Sequence, residues 1–482
     1  MSNTKKTQMI FWLKTLVFFL IMFGFGTLPA PEPLTPYGMK TLGIFFALLF
    51  GWCTIGMIWP SIVGILAMPL LGVLPLGDVF ANGWGSSVML LIFFMMMIAK
   101  NLEKAGISKF IALWFISRKI VFGRPWLFSF SFLLSISIVS SLTSAVAMIF
   151  LGWVIFYEIM AEINLEKYAP YANYMLIGTV IAACLGDGLF PFRTVGAVAF
   201  MLLKELSGFT LNSFIFTLWS LAMCAFLLTL YVLMGKFIFR IAPTQLSALN
   251  NAYFSNKDLS LNASQKCMLL LMAVLIVLML APSIAPADWF IIHLLNTISS
   301  AGVAALICVL MCIIQIDGIP LMEPRSIIKD GVSFDVMFLG AAVLPLALKI
   351  FSSEQAGINA FIIHMFGPIV AGKSAVVFLI LTSICALFLT NFMINVTVPT
   401  ILFPAFYPIA LTLGISPVAL MVIIVYSCFL AFLLPSASPM AAVMFGNSGY
   451  IHTKDIYKYG GTFILVATLV CCLGIPIVQL LF

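Results

Sequence analysis

Charge and histidine are scarce in this sequence. Only 8% of its 482 residues are Asp, Glu, Lys or Arg, while 63% are hydrophobic. Soluble domains carry about 25% charged residues, so a soluble globular protein is excluded. The three histidines, His293, His364 and His452, are scattered and form no metal-binding cluster. No phosphate-binding glycine loop, nucleotide motif, His-Glu metal motif or Ser-His-Asp set is present, which argues against an ATP-driven pump. The 10 cysteines show no ligand spacing. Most, such as Cys53, Cys224, Cys308 and Cys312, sit inside apolar segments, where a thiol acts as a small apolar filler. The net charge of +7 does not imply nucleic acid, because the basic residues fall in short loops between apolar runs.

Those runs dominate the chain. A helix needs about 20 apolar residues to cross the hydrocarbon core. Spans are expected near 10–28, 38–58, 61–77, 86–104, 171–206 (broken), 211–239, 266–283, 288–315, 333–351, 416–448 (broken) and 460–482, about eleven in all. The first is read as an uncleaved span and not a signal peptide: Lys14 interrupts it and no Ala-x-Ala site precedes Pro29-Ala30-Pro31. Lys5 and Lys6 place the N-terminus in the cytoplasm. Lys104, Lys109, Arg118, Lys119, Arg124, Lys236, Arg240, Lys257 and Lys266 then fall on the same side, and Lys40, Lys204 and Lys373 on the other, as the positive-inside rule requires. The expected location is the cytoplasmic membrane.

Two long stretches, 126–160 and 369–413, have polar centres: Ser140-Ser141-Leu142-Thr143-Ser144 and Thr390-Asn391-Phe392-Met393-Ile394-Asn395-Val396-Thr397. Their halves, about 15 residues each, are short for a crossing and read as re-entrant hairpins. Each is followed by a polar break, Gly186 to Gly196 and Pro435 to Ser438. Glu103-Lys104-Ala105-Gly106-Ile107 before the first matches Glu354-Gln355-Ala356-Gly357-Ile358 before the second, an internal repeat. The expected fold is an all-α polytopic membrane protein in two inverted repeats. Residues 1–240 hold hairpin 126–160 and broken helix 171–206, and 266–482 hold hairpin 369–413 and broken helix 416–448. A polar connector over 241–265 (Thr244, Asn250, Asn251, Ser255, Asn256) joins them. Interrupted helices meeting near the midplane are the mark of a secondary transporter: half-helix N-termini attract anions and unpaired carbonyls coordinate small cations.

These motifs resemble the divalent anion–sodium symporters, which carry dicarboxylates, citrate or sulfate. The resemblance rests on Trp52-Cys53-Thr54 with Pro60, on Glu103-Lys104-Ala105-Gly106-Ile107, and on Leu434-Pro435-Ser436-Ala437-Ser438-Pro439 running into Val443-Met444-Phe445-Gly446. It implies substrate between two Ser-Asn-Thr tips, two flanking sodium sites, and elevator movement against a dimeric scaffold in the lipid bilayer. The first tip aligns to Ser141-Leu142-Thr143, losing the amide, and the second to Ile394-Asn395-Val396, losing both hydroxyls. Carried over, substrate contacts fall on Ser141, Thr143, Arg193, Thr194, Asn395, Thr397, Ser438 and Pro439. The second sodium site falls on Thr390, Asn395 and the Ala437 carbonyl. The first is degenerate: Ser137 and Ser141 remain, Leu142 replaces the asparagine, and Arg193 stands where the break has glycine.

A cation inside the membrane costs about 2.5–3.5 kcal/mol on insertion scales, so Arg193 is expected to have a role. It either replaces a sodium ion or binds the anion, or it pairs structurally with Asp187. The expected function is sodium-coupled transport of a small anion, with no organic cofactor. The alternatives are sodium-independent anion exchange and cation–proton antiport through Asp187. Glu103 is expected at a helix turn near the membrane surface and Lys100 to snorkel.

Overall fold

The computed structural model describes residues 3–118, 121, 123–243, 246, 260–347, 354–370, 374–392, 395–435 and 437–482. Most of the connector, including Thr244, Asn250, Asn251, Ser255 and Asn256, lies outside the described residues, as do Lys119, Lys257, Lys373, Met393, Ile394 and Ser436. The first half of the chain forms α1 (Asn3–Phe19), α2 (Pro36–Thr54), α3 (Ile58–Leu70), α4 (Leu76–Asn82), α5 (Ser87–Lys104), α6 (Ile107–Ile116), α7 (Pro125–Leu142), α8 (Ala145–Glu162), α9 (Pro170–Asp187), α10 (Thr194–Ser207) and α11 (Ser213–Leu233). The second half forms α12 (Ala263–Leu280), α13 (Phe290–Ile313), α14 (Pro324–Gly331), α15 (Phe334–Pro345), α16 (Ile358–Val370), α17 (Ala375–Thr390), α18 (Thr397–Thr412), α19 (Pro417–Cys428), α20 (Pro439–Gly446) and α21 (Thr462–Leu481). A two-residue hairpin pairs Gln315–Ile316 with Ile319–Pro320.

The protein is an all-α polytopic membrane protein. Among the described residues, 8 helices are long and apolar enough to cross a bilayer, or up to 9 if the α4–α5 pair, bent by 46°, counts as one span. The expectation of about eleven exceeds this, because several runs fold as shorter helices: Ile58–Leu70 has 13 residues and Phe334–Pro345 has 12. The halves of the first polar-centred stretch are longer than expected, at 18 residues each. Ser140 and Ser141 are absorbed into α7, leaving Thr143 and Ser144 as the turn. α9 and α10 are separated by a break at 188–193, and α19 and α20 by one whose described residues are 429–435 and 437–438.

Local chemistry sets the helix starts. Pro125, Pro170, Pro417 and Pro439 open their helices, where a missing N–H costs nothing. Ser144, Ser374 and Ser438 cap N-termini through their side chains. The two matched segments share a backbone feature. Gly106 and Gly357 adopt φ of 73° and 66°, the left-handed conformation that favours glycine, and each precedes a helix, α6 or α16.

The core divides into two bodies. One gathers α6–α9, most of α11, α20 and the start of α21; the other gathers α1–α5, α10 and α12–α19. The boundary passes through both breaks, between Leu189 and Phe192 and between Phe429 and Leu430. Each body thus combines one polar-centred helix pair with the first half of its own broken helix and the second half of the other: α10 packs on α18 and α19, and α20 on α8 and α9. Every residue of α9 from Tyr171 to Gly186, and every residue of α19, is buried. Helices apolar all round belong at such a centre.

α7 and α9 approach closely. A Cβ on Gly186 would collide with the backbone of Ser137. Gly186→Ala gains a little helix propensity, but overpacking costs about 1–3 kcal/mol and wins. The expected result is a clear drop in melting temperature in detergent, while Gly77→Ala, with nothing near its Cβ, leaves melting unchanged. Equal melting of the two variants would refute the close α7–α9 contact.

Candidate functional site

At the first tip, α7 ends at Leu142 and its last carbonyls lack helical partners. The hydroxyls do not serve the cavity. Ser140 donates to the Ala183 carbonyl at 2.8 Å, Ser141 to Ile138 at 2.6 Å and Thr143 to Val139 at 2.8 Å. Ser137 lies 2.9 Å from the Cys224 sulfur. Carbonyls and a carboxylate are left, and Arg193 takes them. Its Nη2 donates to the Thr143 carbonyl at 2.8 Å, to the Ser140 carbonyl at 3.5 Å and to Asp187 Oδ1 at 2.6 Å. Its Nε reaches the same carboxylate oxygen at 3.2 Å. The two side chains are only 10% and 16% exposed.

The electrostatics explain the arrangement. Asp187 is the last residue of α9, so two helix C-termini, each with partial negative charge, converge beside a carboxylate. The guanidinium sits among all three. The sequence left open whether Arg193 is functional or structural; it is ion-paired to Asp187 and at the same time caps the tip.

Among the described residues, the second tip has no such cation. Thr390 ends α17, and its hydroxyl lies 3.3 Å from Asn395 Oδ1 and 3.2 Å from the Cys428 carbonyl, at the end of α19. Asn391 fastens the tip to the break: its amide donates to Leu387 and Leu430 carbonyls at 2.8 and 3.4 Å, and its oxygen accepts from Leu433 N–H at 2.9 Å. Sequence reasoning gave Asn391 no role, although an amide at a tip is the signal that marks one. Ser438 Oγ donates to Ala431 O at 2.7 Å and accepts from Ala441 N–H at 3.1 Å. Ala437 is fully buried, and the Thr397 carbonyl accepts from Thr400 at 2.7 Å. Among the described residues, none of these hydrogen bonds comes from a charged side chain.

Both tips border one cavity of about 350 Å³, within the range of small-molecule sites. Thr143, Arg193, Thr194, Asn395 and Pro439 line it, whereas Ser141, Thr397 and Ser438 lie behind its wall. Asp187 lines it too. Lys100, Glu103 and Asp330 form a charged wall; the sequence suggested only a snorkelling Lys100 and a helix turn at Glu103, and nothing for Asp330. Lys100 pairs with Glu103 at 2.7 Å, and Lys104 pairs with Asp330 at 3.1 Å. The Lys104 hydrogen bond holds the Asp330 carboxyl below its ordinary range.

The family model described as "Sodium:sulfate symporter transmembrane region" matches residues 7–479. The Na(+)/citrate cotransporter of Mus musculus is 28% identical over 141 residues, 29% of this chain and 24% of that protein. That of Rattus norvegicus is 32% identical over 107 residues, 22% and 18% of the two chains. The matched stretch thus spans a quarter or less of those relatives. The YdaH transporter of Alcanivorax borkumensis superposes with a TM-score of 0.55 at 17% identity, covering 97% of this chain and 98% of that one. MtrF of Neisseria gonorrhoeae gives 0.54 at 12% identity, over 95% and 94%. At these identities the two structures speak to the fold. With the family model matching nearly end to end, the chain belongs to the sodium:sulfate symporter family, a family of membrane transporters and not of enzymes.

Proposed function

We propose that the protein is a secondary active transporter of a small anion, a di- or tricarboxylate or a similar species, in the cytoplasmic membrane. The observation that carries this reading is the cavity bordered by both tips, by the first break and by the start of α20, with Arg193 and Asn395 on its wall. Anion recognition falls to the edge of the guanidinium that is not already donating to Asp187 and the tip carbonyls, with Thr194 and the α10 N-terminus beside it and Thr143 on the same wall. Sodium is a co-transported substrate. Thr390, Asn395 and the carbonyls of Cys428 and Ala437 suit a small hard cation in their oxygen chemistry. The first tip instead holds Arg193. Coupling therefore runs through the second tip alone. The two helix pairs re-enter the membrane, the repeats are inverted, the N-terminus is cytoplasmic, and a homodimeric scaffold carries an elevator movement. This assembly extends the family resemblance.

A second reading, sodium-independent anion exchange, has one observation in its favour: a guanidinium already bound to the tip carbonyls does the work of an ion. Cation–proton antiport is disfavoured, because the carboxylate it needs, Asp187, is held by Arg193 at 2.6 Å.

Thermal shift of the purified protein decides between these readings, since a ligand that binds only the folded state raises the melting temperature. Dicarboxylates, tricarboxylates, sulfate and monocarboxylates are each tested in sodium and in choline. A carboxylate shift that requires sodium is expected. An equal shift in both salts supports exchange, and a shift with sodium or pH alone, without any anion, contradicts anion transport. Arg193→Gln should destabilise by about 3–5 kcal/mol, because it strands a buried carboxylate. Arg193→Gln with Asp187→Asn should recover part of that loss. In proteoliposomes, Arg193→Gly with unchanged uptake and sodium dependence would remove the tethered-cation reading.

A further inference from the structure

A second cavity, of about 360 Å³, lies at the other end of α5. Ser87, Val88 and Leu91 line it, while Ile92, Met95, Ala99 and Glu103 line the first. Positions spaced by three and four share one helix face, so the two cavities lie end to end along that face. Phe192 borders both. It is 6% exposed and stacked on Phe190 with centroids 5.0 Å apart, so an aromatic wall separates them.

The two cavities differ in charge. In the first, each lysine or arginine on the wall has a carboxylate partner. In the second, Lys204 is the one charged side chain on the wall, and it takes part in none of the ion pairs among the described residues. Thr210, Ser283, Asn296, Ser299 and Ser300 surround it with hydroxyl and amide groups. The backbone supplies an independent sign. Ser299 interrupts α13, a candidate span, with φ 59° and ψ 174°. That is a conformation non-glycine residues rarely hold, and such strain clusters at functional sites. Non-helical backbone at membrane depth is tolerated where it is buried in protein or lines water, and Ser299 lines this cavity. The plain alternative is that Lys204 only complements the C-terminal dipole of α10, in whose last turn it lies.

We propose that this second cavity is a water-filled anion vestibule on the far side of Phe192, with Lys204 as its attracting charge. It rests on the anion-transport reading and extends it to the opposite mouth of the path. Small carboxylates or oxyanions gather there before the site between the tips becomes accessible.

The test places a cysteine in the cavity, as Ser300→Cys or, should that variant fold poorly, Thr210→Cys, in a Cys53→Ser background. The anionic sulfonatoethyl and cationic trimethylammonium-ethyl methanethiosulfonates are compared by rate, each normalised to a free thiol. One unit charge at roughly 7 Å in water changes each rate on the order of threefold. The anionic reagent should therefore be favoured several-fold, and Lys204→Gln should erase the preference while Lys204→Arg keeps it. In flux assays, Lys204→Gln should raise KM for anion added on that face and leave kcat unchanged. Equal rates, a cationic preference, or no labelling at either position overturns the vestibule. Absence of flux with the labelling preference intact sinks the transport reading and keeps the vestibule.

Discussion

The first tip is built around an electrostatic problem and its solution. Two helices, α7 and α9, end within reach of one another, and the second of them ends in a carboxylate. In a site shielded from water, two negative helix ends beside Asp187 would repel strongly. Arg193 answers the carboxylate and the end of α7 with one side chain, through Asp187 and the carbonyls of Ser140 and Thr143. The close α7–α9 approach that Gly186 permits depends on this neutralisation. So does the wall of the cavity, because the same guanidinium faces it.

The second tip repeats the geometry without the charge. Again two helices, α17 and α19, end together, and here an amide and a hydroxyl stand among carbonyls in place of the guanidinium. Asn391 does there the stitching that Ser140 does at the first tip, tying the tip to its broken neighbour. Among the described residues, one tip therefore holds a guanidinium and the other only hydroxyl, amide and carbonyl groups. This asymmetry gives a physical reason for the two tips to differ in what they bind.

Much of this was legible in the sequence. Polar residues inside apolar runs marked both tips and both breaks, because buried backbone without helical partners requires them. The pair Gly106 and Gly357 marked the repeat, because few other residues adopt that backbone. Span number was less legible: hydropathy measures apolar length, and Ile58–Leu70 ends at a turn that hydropathy does not register. The direction of the hydroxyls was not legible either. Ser141 and Thr143 look available in sequence, yet a serine or threonine in the last helical turn readily bonds to the carbonyl three or four residues back. The roles of Lys100, Glu103 and Asp330 on the cavity wall depend on α5 meeting α14, a contact distant in sequence.

The central claim is that a guanidinium occupies the first tip, so that only the second accepts sodium. Equilibrium binding of radioactive sodium to the purified protein, with saturating anion, counts the sites directly. The account predicts one sodium ion per chain, lost in Thr390→Val. Two ions per chain, or one that survives Thr390→Val, would contradict it.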